Sequence, residues 1–339
     1  MHAVAVDPDA LVRSGAYRTP MPVPFVIGRD LVGEVAEEGT GTGFAAGQPV
    51  WGNSLGHHGR QGSFAEYAAS PADRLYAAPD DVGPHVLVAA AHPAATAWLA
   101  LFRHARLRYS DRAHVGGGAR NVGSAAVALA SAAGAEVTAT SRPDDFDRVR
   151  AWGAAEVVDY RPDDLADRLR GPLDVHLDTS GHGDPASALR LPAPGGRLVV
   201  MAGVDREASL PLGALYTRDA SIAGFAISNA TVAGLRAAAD AVVRLLRTTS
   251  WRPRIAARPP LSRAADAHRR PDHHEGQRPP IREERHEPRA VRCEGAAHIR
   301  PDGLRLVLSP VTGHRVDSVC RAHPPDLMWK MMGDATMSV

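Results

Sequence analysis

The chain has 339 residues, 44% of them hydrophobic and 23% charged, with a formal net charge of +1. That length allows two domains with real cores, and the near-zero charge gives no reason to expect nucleic acid or a membrane surface as a partner. The two cysteines, Cys293 and Cys320, argue against a disulfide framework and for a reducing, cytoplasmic setting.

No apolar run is expected to reach the ~18 residues of a bilayer span. The opening MHAVAVDPDA lacks the basic and apolar regions of a signal peptide.

Residues 1–78 read as β-rich. MHAVAV is a candidate strand, and PFVIGRDLVGEVAEEG alternates but is broken by Gly28, Gly33 and Gly39. FAAGQPVWGN turns into another strand, and GSFAEYAASPADRLYAAP holds two more. Turn residues at intervals of about 8–12 predict a small barrel-like β domain. Residues 86–102, VLVAAAHPAATAWLALF, form an apolar helical stretch.

The stretch from Ala113 to Tyr160 organises the rest. It reads strand (AHV), glycine-rich turn (GGGARNVG), small-residue helix (SAAVALASAAGA) and strand (EVTAT). This is the order of a βαβ dinucleotide-binding unit. Gly117, Gly118, Ala119, Val122 and Gly123 would bring backbone up to a pyrophosphate at the helix N-terminus. Arg120 stands where the middle glycine of the pattern is usual, and its side chain either crowds the phosphates or pairs with them.

The alternation continues through DDFDRVRAWGA, EVVDY, LADRLR, DVHLDTSG, RLVVMAG and SIAGFAI. Short apolar strands between helices predict a doubly wound parallel sheet of Rossmann type, an α/β fold. Ligands bind at the carboxyl ends of such strands, where Ser180, Gly181, Ala202, Gly203 and Phe225 fall. On their own these read as turn or core residues before they read as contacts.

The second strand of the unit ends Thr140, Ser141, Arg142, without the carboxylate that would bond a ribose 2′-hydroxyl. A hydroxyl followed by a cation suits a 2′-phosphate. Arg142 would pair it, with Ser141 and Tyr160 bonding its oxygens, which favours NADPH; the alternative is a solvated loop arginine.

VRSGAY, PFVIGRDLVGEV, FAAGQPVW, GSFAEYA, HPAATAWLAL, VGGGARNVGSAA, AWGAAEVVDY, DVHLDTSG, PGGRLVVMAG and DASIAGFAISN together resemble the medium-chain dehydrogenase/reductase superfamily. The resemblance is to its zinc-free NADPH:quinone oxidoreductase, zeta-crystallin-like branch, and it runs from about Val4 to His268. It implies a partial GroES-like substrate domain over 1–85, a Rossmann NADP-binding domain over 86–230 and a return segment over 231–268. It implies hydride transfer from NADPH to a quinone or α,β-unsaturated carbonyl. Thr96, Gly203 and Phe225 would lie near the nicotinamide, Gly181 beside the cofactor and Tyr17 near the substrate, with Asp7 where the family has an asparagine. It also implies a homodimer built along SIAGFAI.

A metal site is not expected. Residues 1–268 contain no cysteine, and the Gly-His-Glu motif of the zinc enzymes stands here as Gly28, Arg29, Asp30. His57 and His58 are adjacent, which rarely serves one ion. The competing functions are a catalytically impaired nucleotide-binding fragment and a zinc-type alcohol dehydrogenase.

Two departures from the family stand out. Its opening β segments have no counterpart before His2, which would leave sheet edges unpaired. Residues 269–339 change character: RRPDHHEGQRPPIREERHEPRAVRCEG has neither helix nor strand period and reads as disordered. Asp272 to Arg278 can be encoded GAC-CAC-CAC-GAA-GGT-CAG-CGG, which one base later reads Thr-Thr-Thr-Lys-Val-Ser-Gly. This suits the family's next segment and points to a shifted frame, with loss of the substrate domain's last strand. His273, His274 and Cys293 fit no zinc-finger spacing, and interspersed acids weaken the case for RNA.

Overall fold

Two six-stranded sheets organise the computed structural model, which describes residues 1–6, 9–13, 24–161, 168–169, 171–204, 206–269 and 306–309. The strands are β1 (Ala3–Val4), β2 (Leu31–Glu37), β3 (Pro49–Gly52), β4 (Ala69–Pro71), β5 (Tyr76–Ala77), β6 (Arg112–Gly116), β7 (Glu136–Ser141), β8 (Glu156–Asp159), β9 (Leu173–Asp178), β10 (Pro192–Val200), β11 (Ser221–Gly224) and β12 (Leu306–Ser309). The helices are α1 (Asp9–Arg13), α2 (Pro84–Trp98), α3 (Asn121–Ala132), α4 (Phe146–Ala151), α5 (Pro185–Ala188), α6 (Leu212–Tyr216), α7 (Val232–Thr248) and α8 (Ala264–Arg269).

The first sheet runs β4-β12-β2-β3-β5, with β1 also on β2. β2 pairs antiparallel with β1 and β3, while β12 lies parallel to both β2 and β4. Leu31 and Val35 of β2, Val50 of β3, and Met1, Leu55 and Leu75 fill its own core. Trp51 and Tyr76, tilted against each other at 5.1 Å, join the larger core shared with the helices.

β12 corrects the expectation of a tail without strands. Leu306–Ser309 reads LVLS, a short apolar run of strand type, and it takes a place between β4 and β2. The rest of the tail, with His273, His274, Cys293 and Cys320, lies outside the described residues, as do Asp7 and Tyr17.

The second sheet runs β11-β10-β9-β6-β7-β8, and every pair in it is parallel. Counted from β6, this is the order 3-2-1-4-5-6 of the doubly wound dinucleotide fold, with the switch point between β6 and β9. One face of its central strands is apolar, while the opposite face carries His114, Thr138, Thr140 and His176 among Val158 and Leu198. Val115, Val137, Ala139, Val175, Leu177 and Val199 are fully buried.

α2 begins with Gly83 as N-cap and Pro84 in the first turn, where the missing amide costs nothing. It continues as a π-helical stretch, Leu99–His104. Contrary to the expectation above, this helical run of 21 residues is long and apolar enough to cross a membrane. Its Leu87, Ala90, Ala91, Ala94, Leu99 and Leu101 are fully buried in the core that also takes α3 and α7, so it is a core helix. In α7 the buried residues Leu235, Ala238, Ala239, Val242, Leu245 and Leu246 recur at helical spacing, and the Thr231 hydroxyl caps the start. Just beyond it, fully buried Trp251 donates its indole N–H to Ser124 Oγ of α3 at 3.0 Å.

Two polar features sit inside this domain. Arg197 of β10 donates to Asp111 Oδ2 at 2.7 Å and to the carbonyls of Arg106 (3.0 Å) and Asp174 (3.1 Å). The same Asp111 oxygen accepts the Arg108 amide at 2.9 Å. On adjacent strands, His114 and His176 place their Nδ1 atoms 3.2 Å apart. Burial holds both below the ordinary histidine value, His176 at about 4.

One imidazole can donate to the other only while the acceptor is neutral. The folded values lie below the unfolded one, so the unfolded chain takes up these protons first. The contribution is complete above the unfolded value near 6.5 and is lost as pH falls from there toward 4. Urea midpoints measured from pH 7.5 to 5 should therefore fall more steeply for the natural chain than for the His114→Leu/His176→Leu double variant. Parallel pH profiles would refute this role for the pair.

Candidate functional site

The turn from β6 into α3 is built from glycines for steric reasons. Gly117 has φ +77°, in the left-handed region. A Cβ on Gly118 would stand 2.8 Å from the Ala139 Cβ, and one on Gly123 only 2.1 Å from the Gly117 carbonyl oxygen. Thr140 of β7 fastens the turn: its hydroxyl accepts the Gly117 amide at 3.1 Å and its carbonyl the Gly118 amide at 2.7 Å. Ala119 and Val122 pack their side chains against the core.

Arg120 is the N-cap of α3 in extended conformation. The bond from the Ser124 amide to the Arg120 carbonyl, 2.7 Å, closes the first helical turn. The amides of Asn121, Val122 and Gly123 precede it and are the helix-end donors that suit a phosphate. The Arg120 side chain is exposed and runs past Gly117, its Cδ 3.8 Å from where a Cβ there would be.

At the end of β7, Arg142 Nε donates to the Tyr160 hydroxyl at 3.1 Å. The two residues, with Pro143, Asp144 and Arg161, line an open hollow. Arg161 is committed to Asp159 through bonds of 2.6 to 3.1 Å. Ser141 behaves otherwise than expected of a phosphate ligand: its side chain is 2% exposed and donates to the Arg142 carbonyl at 3.1 Å.

Gly181 and Gly203, both with positive φ, stand back to back after β9 and β10. A Cβ on Gly181 would lie 2.6 Å from the Gly203 amide. Arg206 Nη1 ties the pair by donating to the Gly181 carbonyl at 2.6 Å. Phe225 follows β11 and stacks on His104 at 4.4 Å and 18°.

All these residues gather at the carboxyl ends of the parallel strands. Thr96 does not join them by its hydroxyl, which is 8% exposed and donates to the His92 carbonyl of its own helix at 2.8 Å.

Sequence reasoning missed Arg29. It is 3% exposed, and its Nη2 donates to Ser228 Oγ in the turn that follows β11. The signal was the departure from Gly-His-Glu to Gly28-Arg29-Asp30, read only for what arginine cannot ligate. Asp30, also buried, lies 3.7 Å from His92 Nδ1. Among the described residues no three His, Cys, Asp or Glu side chains come together as metal ligands. With Arg29 at the motif position, this residue set does not fit a zinc ion.

The Alcohol dehydrogenase GroES-like domain model matches residues 1–80, and the Zinc-binding dehydrogenase model matches residues 121–245. The chain is 27% identical to the quinone oxidoreductase of Mus musculus over 278 residues, 79% of this chain and 82% of that protein. Among solved structures it is similar to the quinone oxidoreductase of Thermus thermophilus, determined also in its complex with NADPH. The TM-score is 0.62 at 29% identity, covering 79% of this chain and 84% of the other. A probable oxidoreductase from Mycobacterium abscessus superposes with a TM-score of 0.63 at 28% identity, over 78% and 82% of the two chains. A β domain of GroES-like type joined to a doubly wound parallel sheet places this chain in the medium-chain dehydrogenase/reductase superfamily of oxidoreductases.

Proposed function

We propose that the protein reduces a quinone or an α,β-unsaturated carbonyl with NADPH, by hydride transfer and without a metal ion. The observation that carries this reading is the pairing of a sterically obligatory glycine turn with the hollow at the end of the second strand, where Arg142 meets Tyr160. The turn amides and the α3 N-terminus hold the pyrophosphate, and Arg120 at its mouth adds a cation. Arg142 and Tyr160, already bonded to each other, hold the 2′-phosphate. When bound, NADPH supplies the hydride.

Gly203 and the Phe225–His104 stack line the nicotinamide side, and orientation there does most of the work. Tyr17 is proposed as the donor to the developing oxyanion. The Thermus relative with NADPH and the murine relative support both cofactor and substrate class. The protein works in the cytoplasm as a dimer paired along β11, whose neighbourhood exposes Val204, Leu212 and Tyr216.

Titration by cofactor fluorescence tests the cofactor assignment. The natural chain should bind NADPH tighter than NADH, and Arg142→Ala should weaken NADPH about 10- to 100-fold while leaving NADH unchanged. That range corresponds to ~1.5–3 kcal/mol for a charge-assisted bond. Equal losses for both cofactors would move Arg142 out of the 2′-phosphate site. NADPH consumption with 1,4-benzoquinone should be unaffected by chelator, and a loss of activity there would overturn the metal-free mechanism.

A further inference from the structure

Three arginines gather on the β domain, and the dinucleotide reading uses none of them. Arg29 precedes β2, and the loop after β3 packs over it, with the Leu55 amide donating to the Arg29 carbonyl at 3.1 Å. Two more guanidiniums converge on the same loop: Arg60 Nη2 donates to the Ser54 carbonyl at 3.0 Å and Arg74 Nη1 to Ser54 Oγ at 3.3 Å. The Nε groups of Arg29 and Arg60 are buried and meet no acceptor.

The cations act on one another. Arg60 is pushed down to about 10, by burial first and then by Arg74 and Arg29. His57 is brought to about 4 by burial, with Arg29, His58, Arg60 and Arg74 adding to it. Asp73 is the carboxylate that offsets them at Arg60, while Asp30 turns toward His92. Arg29 is buried and Arg60 and Arg74 are half-buried, and a buried guanidinium with an open donor and other cations beside it is unfavourable alone. Such a cluster suits an anion that completes it.

Its location says which anion. Arg29 reaches Ser228, beyond the carboxyl end of β11, and so faces the end of the sheet where the glycine turn also opens. We propose that Arg29, backed by Arg60 and Arg74, forms a carboxylate-binding subsite, so that the preferred substrates are unsaturated carbonyl compounds bearing a carboxylate. The inference rests on the reductase reading above. The planar guanidinium with its open Nε–H gives the fork that two carboxylate oxygens match.

The test uses the full chain with saturating NADPH and two probes, trans-4-oxopent-2-enoate and its methyl ester. The acid should exceed the ester in kcat/KM by about tenfold or more, mostly through KM, as ~1.4 kcal/mol of charge pairing gives. Arg29→Gln should bring the ratio near one, and Arg29→Lys should restore part of it. NADPH affinity and melting temperature report whether Arg29→Gln folds. If it does not, Arg60→Gln replaces it, and the ratio should still fall severalfold.

An ester reduced as well as the acid by the natural chain overturns the subsite and leaves the reductase reading standing. An unchanged ratio in the folded variants does the same. If NADPH binds but neither probe is reduced, the reductase reading fails for this substrate class. Melting of the NADPH-bound protein then decides the subsite: a rise with the acid alone supports it, and no rise with either overturns it.

Discussion

Gly123→Ala is expected to destroy dinucleotide binding, raising the NADPH dissociation constant by more than about 100-fold and lowering the melting temperature. The added Cβ would stand 2.1 Å from the Gly117 oxygen, 2.7 Å from its carbonyl carbon and 3.1 Å from Thr179 Oγ1. Two of these are backbone atoms, and the same Gly117 carbonyl accepts the Arg120 amide at 2.9 Å. Nothing there can swing aside. Either α3 lifts from the sheet, or the turn gives up the conformation that Thr140 holds, and both misdirect the helix-end amides. Gly213→Ala is the control, because a Cβ there meets nothing within 4 Å and the residue lies early in α6. Its effect should stay within about 0.5 kcal/mol. NADPH titration and thermal melting of both variants suffice, and natural affinity in Gly123→Ala would remove the turn from the cofactor site.

Arg197→Leu should cost about 3–5 kcal/mol of folding stability, a large share of the ~5–15 kcal/mol typical of a domain. Arg197 and Asp111 are each 9% exposed, and the guanidinium serves three acceptors at once. Removing it leaves a buried carboxylate with the Arg108 amide but no cation, and takes away a donor to the Arg106 and Asp174 carbonyls. Asp111→Leu added to Arg197→Leu should recover part of the loss, since the lone buried charge then disappears. Urea denaturation of the three chains measures this. A single-variant loss under about 1 kcal/mol would show that water reaches Asp111 and that the pair behaves as a surface bridge.

The nucleotide domain was legible because its chemistry is local. The strand, glycines, helix and second strand lie within 30-odd residues, and the closest steric demands on Gly118 and Gly123 come from that same unit, while Thr179 beyond β9 adds its own at Gly117 and Gly123. Arg142 and Tyr160 could be paired because each ends an adjacent parallel strand. Where a side chain's fate depends on distant partners, the letters were silent. Ser141 and Thr96 carry hydroxyls suited to ligands, yet one bonds the next carbonyl and the other its own helix. Nothing in the spacing of His114 and His176 showed that parallel register would set them face to face. Arg29 looked like the loss of a metal ligand, and only its burial against Ser228 shows it as a cation in its own right. β12 was hidden by the composition around it, since four apolar-rich residues carry little pattern in a tail of arginine, proline and histidine.

That strand has a consequence for the order in which the protein is made. β6 to β11 and the helices between them come from one continuous stretch, so their sheet can form as soon as that stretch has been synthesised. The first sheet cannot be completed then. Its β2 and β4 appear early but receive β12 only after residue 309 has been added. Through most of translation the facing edges of β2 and β4 wait without the strand that joins them, and non-local pairings of this kind are slow and prone to pair with other chains. The parallel sheet is thus the self-sufficient half of the molecule, and the first sheet is a late assembly whose completion depends on residues near the far end of the chain.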